Sequence, residues 1–174
     1  MGKRPARCYT EIKGPAYTRI KKYIRSVPGS KIQIYDMGQK GKFFPVVLHL
    51  VIDEPCQIRH MALEALRQAV NRKLMKKVGR ENYHFRVRVH PHHILRENKM
   101  MAFAGADRMQ DGMRRSFGKP TDRAARVRAG QEIATIWVPP QHWKAAFEAL
   151  DKARYKLPKP SHVIIAEGRE LINR

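Results

Sequence analysis

The chain has 174 residues, of which 43% are hydrophobic. This composition excludes a wholly disordered polypeptide and favours one domain with a modest core. Lys and Arg number 36 against 15 Asp and Glu, so the formal net charge is +21. A compact protein with this charge repels itself unless a polyanion neutralises it, which makes nucleic acid the first candidate partner and an anionic membrane the second.

The membrane candidate has little support in the sequence. No apolar run approaches the roughly 18 residues that a spanning helix needs. The opening MGKRPA has the Gly2 of a myristoylation signal, but Ala6 stands where Ser or Thr is required. Because a secretory hydrophobic segment is also missing, we expect a cytosolic chain in which Cys8 and Cys56 are free thiols.

Residues 1–31 form a basic segment with no apolar period. They carry nine Lys or Arg and one Glu, with Tyr9, Tyr17 and Tyr23 interleaved. One interpretation is a disordered tail. We favour an extended arm that becomes ordered on nucleic acid, because spaced aromatic rings stack on bases while cations contact phosphates. The sequence therefore predicts an N-terminal arm, 1–31, followed by a single domain, 32–174.

The first half of that domain reads as strand, strand and helix. Ile32, Ile34 and Tyr35 predict a short strand, and the apolar run 43–52 predicts a strand buried on both faces. Acidic residues followed by Pro55 are typical of a helix start. The apolar stripe of this helix, which Gly79 ends, comprises Leu63, Leu66, Val70, Leu74 and Val78.

The segment YHFRVRVH, residues 83–90, alternates strictly between apolar and basic residues. A strand with this pattern places its apolar side chains in the core and its basic side chains on the other face. A merely solvated face is the alternative. An all-basic row of four, however, indicates a surface that docks on a partner.

The second half repeats the same order of elements. Strands are predicted at 123–128, 132–138 and 161–166, and a helix runs from Pro139-Pro140 to about 155. Its predicted inner face comprises Trp143, Ala146, Phe147, Leu150 and Ala153. Two strand–helix–strand units, 43–90 and 131–167, predict an α+β sandwich of mixed β-sheet with two packed helices. A long irregular insert loop, 99–120, separates the units.

Groups that could carry catalysis are few. His90, His92 and His93 lie close together in HPHH, and Cys56 and His60 are four residues apart, but neither set has a metal-site pattern. Asp107 and Asp111 stand among arginines, which favours ion pairs within the loop over Mg²⁺ binding. Phosphate-loop, dinucleotide and GxSxG motifs are missing. We predict no catalytic residues, no metal and no cofactor; a metal-dependent RNA nuclease is the alternative from another class.

Binding is better supported, because positive charge occurs on the arm, on a helix face, on a strand row and in the loop. A DNA-binding domain concentrates its charge on the element that enters a groove, so this spread favours contact with several RNA segments, and no DNA partner is expected. The predicted RNA-binding residues are Lys3, Arg4, Arg7, Arg19, Lys21, Lys22, Arg25, Arg72, Lys73, Lys76, Arg86, Arg88, His90, Arg96 and Lys99.

Three segments carry a resemblance to a known family. GKRPARCYT, RVRVHPHHILRENKMM and AGADRMQDGMRRSFGKP resemble the large-subunit ribosomal proteins of the universal sixteen family, in its archaeal and eukaryotic branch. The resemblance runs from the first residues to at least 138, and the pattern of the remaining residues is compatible with it. The chain is shorter than the eukaryotic members, so we expect an archaeal source.

The resemblance implies a structural constituent of the large subunit that lies on 23S-type rRNA, beside the aminoacyl-tRNA site and among neighbouring ribosomal proteins. In such proteins the loop matching 99–120 extends toward the peptidyl-transferase region. Its implied tRNA-facing residues are Met100, Met101, Gly105, Arg108, Met109, Gly112, Arg114, Arg115 and Lys119. A Met-rich flap that covers its own core is the other interpretation of this loop.

The expected function is therefore to bind large-subunit rRNA and to help shape the tRNA-binding region in translation, in the cytoplasm, with no enzymatic activity. A free tRNA-binding factor or RNA chaperone with the same basic surface is the alternative among binding proteins.

Overall fold

A computed structural model describes residues 4–99 and 117–172 of the chain. In these two ranges eight strands form two sheets: a five-stranded sheet with the order β1-β4-β7-β2-β8 and a three-stranded sheet with the order β3-β6-β5. The strands are β1 (Asp36–Gly38), β2 (Val46–Ile52), β3 (Cys56–Arg59), β4 (His84–Val87), β5 (His93–Glu97), β6 (Lys119–Val127), β7 (Glu132–Val138) and β8 (Ser161–Glu167). The α-helices are α1 (Ile20–Tyr23), α2 (His60–Lys77) and α3 (Trp143–Arg154), and 3-10 turns lie at Ala6–Tyr9, Arg80–Asn82, Pro140–His142 and Arg169–Leu171.

Two interleaved strand–helix–strand units supply four strands of the five-stranded sheet, and β1 is the fifth. Strands β2 and β4, which flank helix α2 in sequence, lie on either side of β7 in the sheet. Strands β7 and β8, which flank α3, lie on either side of β2. This is the split β-α-β arrangement of ferredoxin-like folds. The predicted α+β class with two packed helices is therefore confirmed.

Every strand pair in the described part of the chain is antiparallel, where the sequence analysis expected mixed strands. The reason is the interleaving. The two strands of one unit run parallel to each other, but a strand of the other unit lies between them, so no parallel pair forms hydrogen bonds.

The core lies between the five-stranded sheet and the two helices, which contact each other and the same face of the sheet. The predicted stripe of α2, from Leu63 to Val78, is buried, and Gly79 follows with a φ of +84°, a conformation that suits glycine. On α3, Ala146, Leu150 and Ala153 are buried as predicted. Phe147 is not: it is 38% exposed, and Ala149 packs inward instead.

Three boundaries near the start of the domain differ from the prediction. The first strand is Asp36–Gly38 and does not include Ile32, which is buried without being in a strand. The predicted strand 43–52 is buried on both faces but begins at Val46. The expected helix start after Asp53 is a strand, β3, which pairs with β6 some 70 residues further along the chain. Local sequence does not show such a distant partner, and the helix begins only at His60.

The smaller sheet arises from segments inserted between the elements of the main fold. Strand β6 confirms the predicted strand 123–128 but begins earlier, at Lys119, so Lys119 and Pro120 belong to β6 and not to an irregular loop. Strand β5, which the sequence analysis missed, pairs with β6 so that Glu97 stands opposite Lys119. The insert is thus the connection of a β5–β6 hairpin, and residues 100–116 of it lie outside the described residues. No helix in the described ranges has the length and apolar character to cross a membrane.

Candidate nucleic-acid interface

A row of basic side chains lies on the surface of β4 that faces away from the two helices. Phe85 and Val87 are buried in the core, so Arg86 and Arg88 project to the opposite side, where both are exposed. The strand ends at Val87, so Arg88 and His90 continue the row beyond it, and His90 is also exposed. The predicted alternation is therefore confirmed, and the row stands on an inner strand held between β1 and β7.

Arg88 is held in place by residues of β7. Its Nε donates a hydrogen bond of 2.6 Å to the hydroxyl of Thr135 and lies 3.1 Å from a carboxylate oxygen of Glu132. Its guanidinium carbon is 5.7 Å from the ring centre of Trp137. Arg88 therefore presents a fixed cation whose charge is partly compensated by Glu132.

The start of the row is compensated in a similar way. His84 Nε2 lies 2.5 Å from a carboxylate oxygen of Asp36, and its imidazole stacks on Trp137 with the ring centres 4.6 Å apart. Burial acts to raise the pKa of Asp36, but the hydrogen bond and charge of His84, together with Lys40, outweigh it and lower that pKa. Among the described residues Arg86 has no ion pair. Arg86 is therefore the member of the row whose charge is most available to a phosphate.

The basic arm, described from residue 4 to residue 31, is bound to both edges of the three-stranded sheet. The amide of Gln57, on edge strand β3, donates a hydrogen bond of 2.8 Å to the carbonyl of Thr10. The amide of Ile94, on edge strand β5, donates one of 3.1 Å to the carbonyl of Tyr17. The arm thus has a defined path over the protein, and further ordering on nucleic acid stays a prediction. Its exposed predicted contacts are Arg4, Arg7, Arg19, Lys21, Lys22 and Arg25.

Two polar side chains of the sheet fasten the arm between these edges. Arg126, on the central strand β6, donates to the carbonyls of Gly14 and Lys13 over 2.7 and 3.2 Å. The side-chain amide of Gln57 donates to the carbonyls of Tyr9 and Glu11 over 3.0 and 2.6 Å. Because these bonds satisfy backbone carbonyls of a segment that belongs to neither sheet, they fix its course.

His93 of the HPHH sequence is part of the same anchorage. The amide of Tyr17 donates a hydrogen bond of 2.8 Å to Nδ1 of His93, and the other ring nitrogen lies 3.4 Å from Arg126. Burial of the ring, and then the charge of Arg126, lower the pKa of His93 to about 4, so the ring is neutral at pH 7. In the described ranges no group of three or more His, Cys, Asp and Glu side chains is placed to hold a metal ion.

The end of the arm is bound to the first residue of α2. The amide of Lys31 donates a hydrogen bond of 2.9 Å to Nδ1 of His60, whose Nε2 lies 3.1 Å from a carboxylate oxygen of Asp122 on β6. His60 is 2% exposed and Asp122 is 5% exposed. The pair therefore joins the arm, α2 and the small sheet through buried polar contacts.

Arg96, near the end of β5, lies beside the residues that lead into β6. Its guanidinium carbon lies 3.6 Å from the ring centre of Phe117 and 4.8 Å from that of Tyr17. A Cβ on Gly118 would lie 2.6 Å from the backbone of Glu97, so the two chains approach closely there. The arm and the root of the insert thus share one cation–aromatic cluster.

The predicted contacts on α2 separate into two kinds. Arg72 and Lys76 are exposed and line a shallow cleft of about 550 Å³ with Arg67. Lys73 turns toward α3, where its ammonium lies 2.8 Å from a carboxylate oxygen of Glu148. Hydrogen bonds from Lys73 and then Lys77 lower the pKa of Glu148 to about 2. Lys73 thus joins the two helices, and its contact with rRNA stays a prediction.

The remaining predicted residues lie at the margins of the described ranges. Lys99 is exposed at the end of the first range, and Lys119 is exposed at the start of β6. The other implied tRNA-facing residues and Lys3 lie outside the described residues: Lys3, Met100, Met101, Gly105, Arg108, Met109, Gly112, Arg114 and Arg115. Their roles stay predictions.

Sequence reasoning missed the residues that position the arm. Gln57, His93 and Arg126 come from three different strands and meet only in the folded chain. The one local signal is in RAARVR, where Arg126 alternates with two buried residues, Ala125 and Val127, and so points to the opposite face. Nothing in that pattern shows that the arm covers this face.

Comparison with known proteins identifies the family. The model of the family described as ribosomal protein L16p/L10e matches residues 12–164. The large ribosomal subunit protein uL16 of Methanococcus aeolicus is 51% identical over 172 residues, which cover 99% of each chain. The protein of the same name from Methanocella arvoryzae is 49% identical over 99% of each chain. That from Archaeoglobus fulgidus is 46% identical over 99% of this chain and 98% of its own. The chain belongs to the ribosomal protein L16p/L10e family.

Proposed function

We propose that the chain binds large-subunit rRNA through exposed cations on several sides of the fold and helps to shape the tRNA-binding region. Membership in the family makes it a structural, non-enzymatic constituent of the large ribosomal subunit, which works in the cytoplasm with rRNA and other ribosomal proteins. The specific rRNA contacts and the contact with tRNA are the parts that we propose.

One observation carries the rRNA proposal: exposed cations lie on both sides of the main sheet. Arg86 projects from the face opposite the helices, and Arg72 and Lys76 lie on the outer surface of α2 on the other side. The arm adds a third basic surface over the small sheet. A single RNA helix docked on one face would leave the other cations unused, so the arrangement favours a protein surrounded by several rRNA segments.

The tRNA proposal rests on the family resemblance of residues 99–120 and on the position of their root. The insert leaves the domain at the end of the β5–β6 hairpin, beside the cluster of Arg96, Tyr17 and Phe117. Residues 100–116 carry Arg108, Arg114 and Arg115, and in the proteins that the chain resembles the matching segment extends toward the tRNA acceptor arm. This supports contact of the insert with tRNA.

Sedimentation tests the proposal against a free RNA-binding factor. Purified large subunits are washed with moderately concentrated salt, and the chain is measured in the pellet and in the supernatant. We expect it to stay with the subunits, because contacts on several sides must break together. Release into the supernatant at the salt concentration that removes loosely bound factors would contradict the proposal. The nuclease alternative would use Asp107 and Asp111, which lie outside the described residues; the family match favours a structural ribosomal protein over a nuclease.

A further inference from the structure

We propose that the cleft beside Phe43 is a docking site for one unpaired rRNA nucleotide, whose base stacks on the Phe43 ring. This deepens the proposed rRNA binding and rests on it. The apolar run 43–52 predicts that Phe43 is part of a buried strand, but its side chain is 86% exposed, while Phe44 beside it is 4% exposed. No other large hydrophobic side chain in the described ranges is as exposed as Phe43.

The loop that carries Phe43 has a defined conformation. Gly38 and Gly41 adopt φ values of +87° and +85°, which favour glycine. A Cβ on Gly38 would lie 2.2 Å from the carbonyl oxygen of Tyr83, so the loop begins where it presses against the chain before β4. Phe44 anchors its other end in the interior. The exposed ring of Phe43 is therefore presented by a loop fixed at both ends.

Phe43 forms one wall of a cleft of about 380 Å³. Pro139 and Pro140, which follow β7, also line the cleft, and the rest of the lining is Lys42, Phe44, Pro45, Asn82, Gln141 and His142. This volume is of the size of a single nucleotide. Flat aromatic and prolyl surfaces accept the face of a base, and amide and imidazole groups offer hydrogen bonds to its edge.

The charge at the cleft favours RNA over a segment of another protein. None of the lining residues is acidic, and Lys42 contributes a cation directly beside Phe43. The ammonium of Lys42 lies 5.7 Å from the ring centre of Phe44, so it is held at the rim of the cleft. An aromatic ring with an adjacent cation suits a base and its phosphate together. An isolated exposed hydrophobic residue needs no partner, but this one belongs to a shaped, basic cleft.

The affinity of the purified chain for large-subunit rRNA tests the site. Replacing Phe43→Ala removes the stacking surface and is expected to weaken binding roughly 5- to 150-fold, the range that one stacked base contributes. Phe43→Trp is expected to restore binding. The slope of affinity against salt should not change for Phe43→Ala, because no cation is lost, and Lys42→Ala should lower the slope by about 0.7 to 0.9. Tyr155→Ala is the matched control, because Tyr155 is 82% exposed outside the cleft and its loss should leave affinity unchanged.

Crosslinking in the assembled subunit supplies an independent result. Large subunits are irradiated with short-wavelength ultraviolet light, which can couple any of the four nucleotides to a stacked side chain, and the crosslinked peptides of the chain are identified by mass spectrometry. A nucleotide attached within residues 40–45 or at 139–142 supports the site. The absence of such an adduct, or equal rRNA affinity of the Phe43→Ala chain and the unaltered chain, would overturn it. If the cleft carries no nucleotide adduct but the Phe43→Ala variant is lost from large subunits, the cleft would be assigned to a neighbouring protein instead. Failure of the unaltered chain to bind rRNA would overturn the proposed function itself.

Discussion

The backbone amide of Tyr17 donates a hydrogen bond to Nδ1 of His93, and the ring can accept it only while that nitrogen carries no proton. The basic arm is thus held to the small sheet by a histidine that must stay neutral. The surrounding cations, Arg126 and Arg96, disfavour its protonation as well. This relationship makes the anchorage of the arm sensitive to acid.

The first prediction concerns stability between pH 6.5 and pH 4. The pKa of His93 is lowered to about 4 in the folded chain, from the ordinary value of 6.5 that it has in the unfolded chain. As the pH drops through 6.5, the unfolded chain therefore binds a proton at this residue and the folded chain does not. The contribution of neutral His93 to the free energy of unfolding should therefore be fully present above pH 6.5. It should fall by up to roughly 3 kcal/mol by pH 4. Urea unfolding at pH 7 and pH 5 measures it. The control is His93→Gln, whose stability should depend less on pH; an equal loss in both chains would contradict the prediction.

The second prediction concerns the fastening of the arm by Arg126. Replacing Arg126→Leu removes the donors to Gly14 and Lys13, so we expect faster tryptic cleavage within residues 4–31 and faster amide exchange at Gln57. Arg126→Lys keeps the charge but loses the planar fork that reaches both carbonyls, so it should give an intermediate result. Unchanged cleavage in Arg126→Leu would show that the edge-strand hydrogen bonds hold the arm by themselves.

The third prediction separates the members of the β4 row. Arg86→Glu should weaken rRNA binding while leaving the melting temperature unchanged, and Arg86→Ala should lower the log–log salt slope by roughly 0.7 to 0.9. Arg88→Glu should weaken binding too, but it also places a second carboxylate beside that of Glu132 and should destabilise the fold. The double replacement combines both effects. The control is Lys152→Ala, which removes an exposed cation of α3. If Arg86→Ala has the same rRNA affinity and salt slope as this control, the row faces something other than RNA.

The fourth prediction compares two lysines of α2. Lys76 is exposed, so Lys76→Ala should lower the salt slope of rRNA binding and leave stability unchanged. Lys73 joins α2 to Glu148 of α3, so Lys73→Met should lower the thermal stability slightly and change the salt slope less. Thermal unfolding and rRNA titrations at several salt concentrations measure both. The reverse outcome would place Lys73, and not Lys76, on the RNA.

Parts of this protein follow from local sequence because burial repeats with the period of the element. The stripe Leu63 to Val78 determines which face of α2 is inside, and the alternation of Phe85 and Val87 with Arg86 determines the exposed row. The family, too, is readable from short segments. These features depend on residues that are near each other in the chain, so one sequence is enough to predict them.

The tertiary structure alone decided where the arm lies, which strands form the small sheet, and that Phe43 faces solvent. Gln57 and Tyr9 are 48 residues apart, and Arg126 and Gly14 are 112 apart, yet each pair forms a hydrogen bond that fixes the arm. The β3–β6 pairing likewise turned a predicted helix start into a strand. No local period records such contacts, because their free energy arises only when distant segments meet and satisfy each other's buried polar groups.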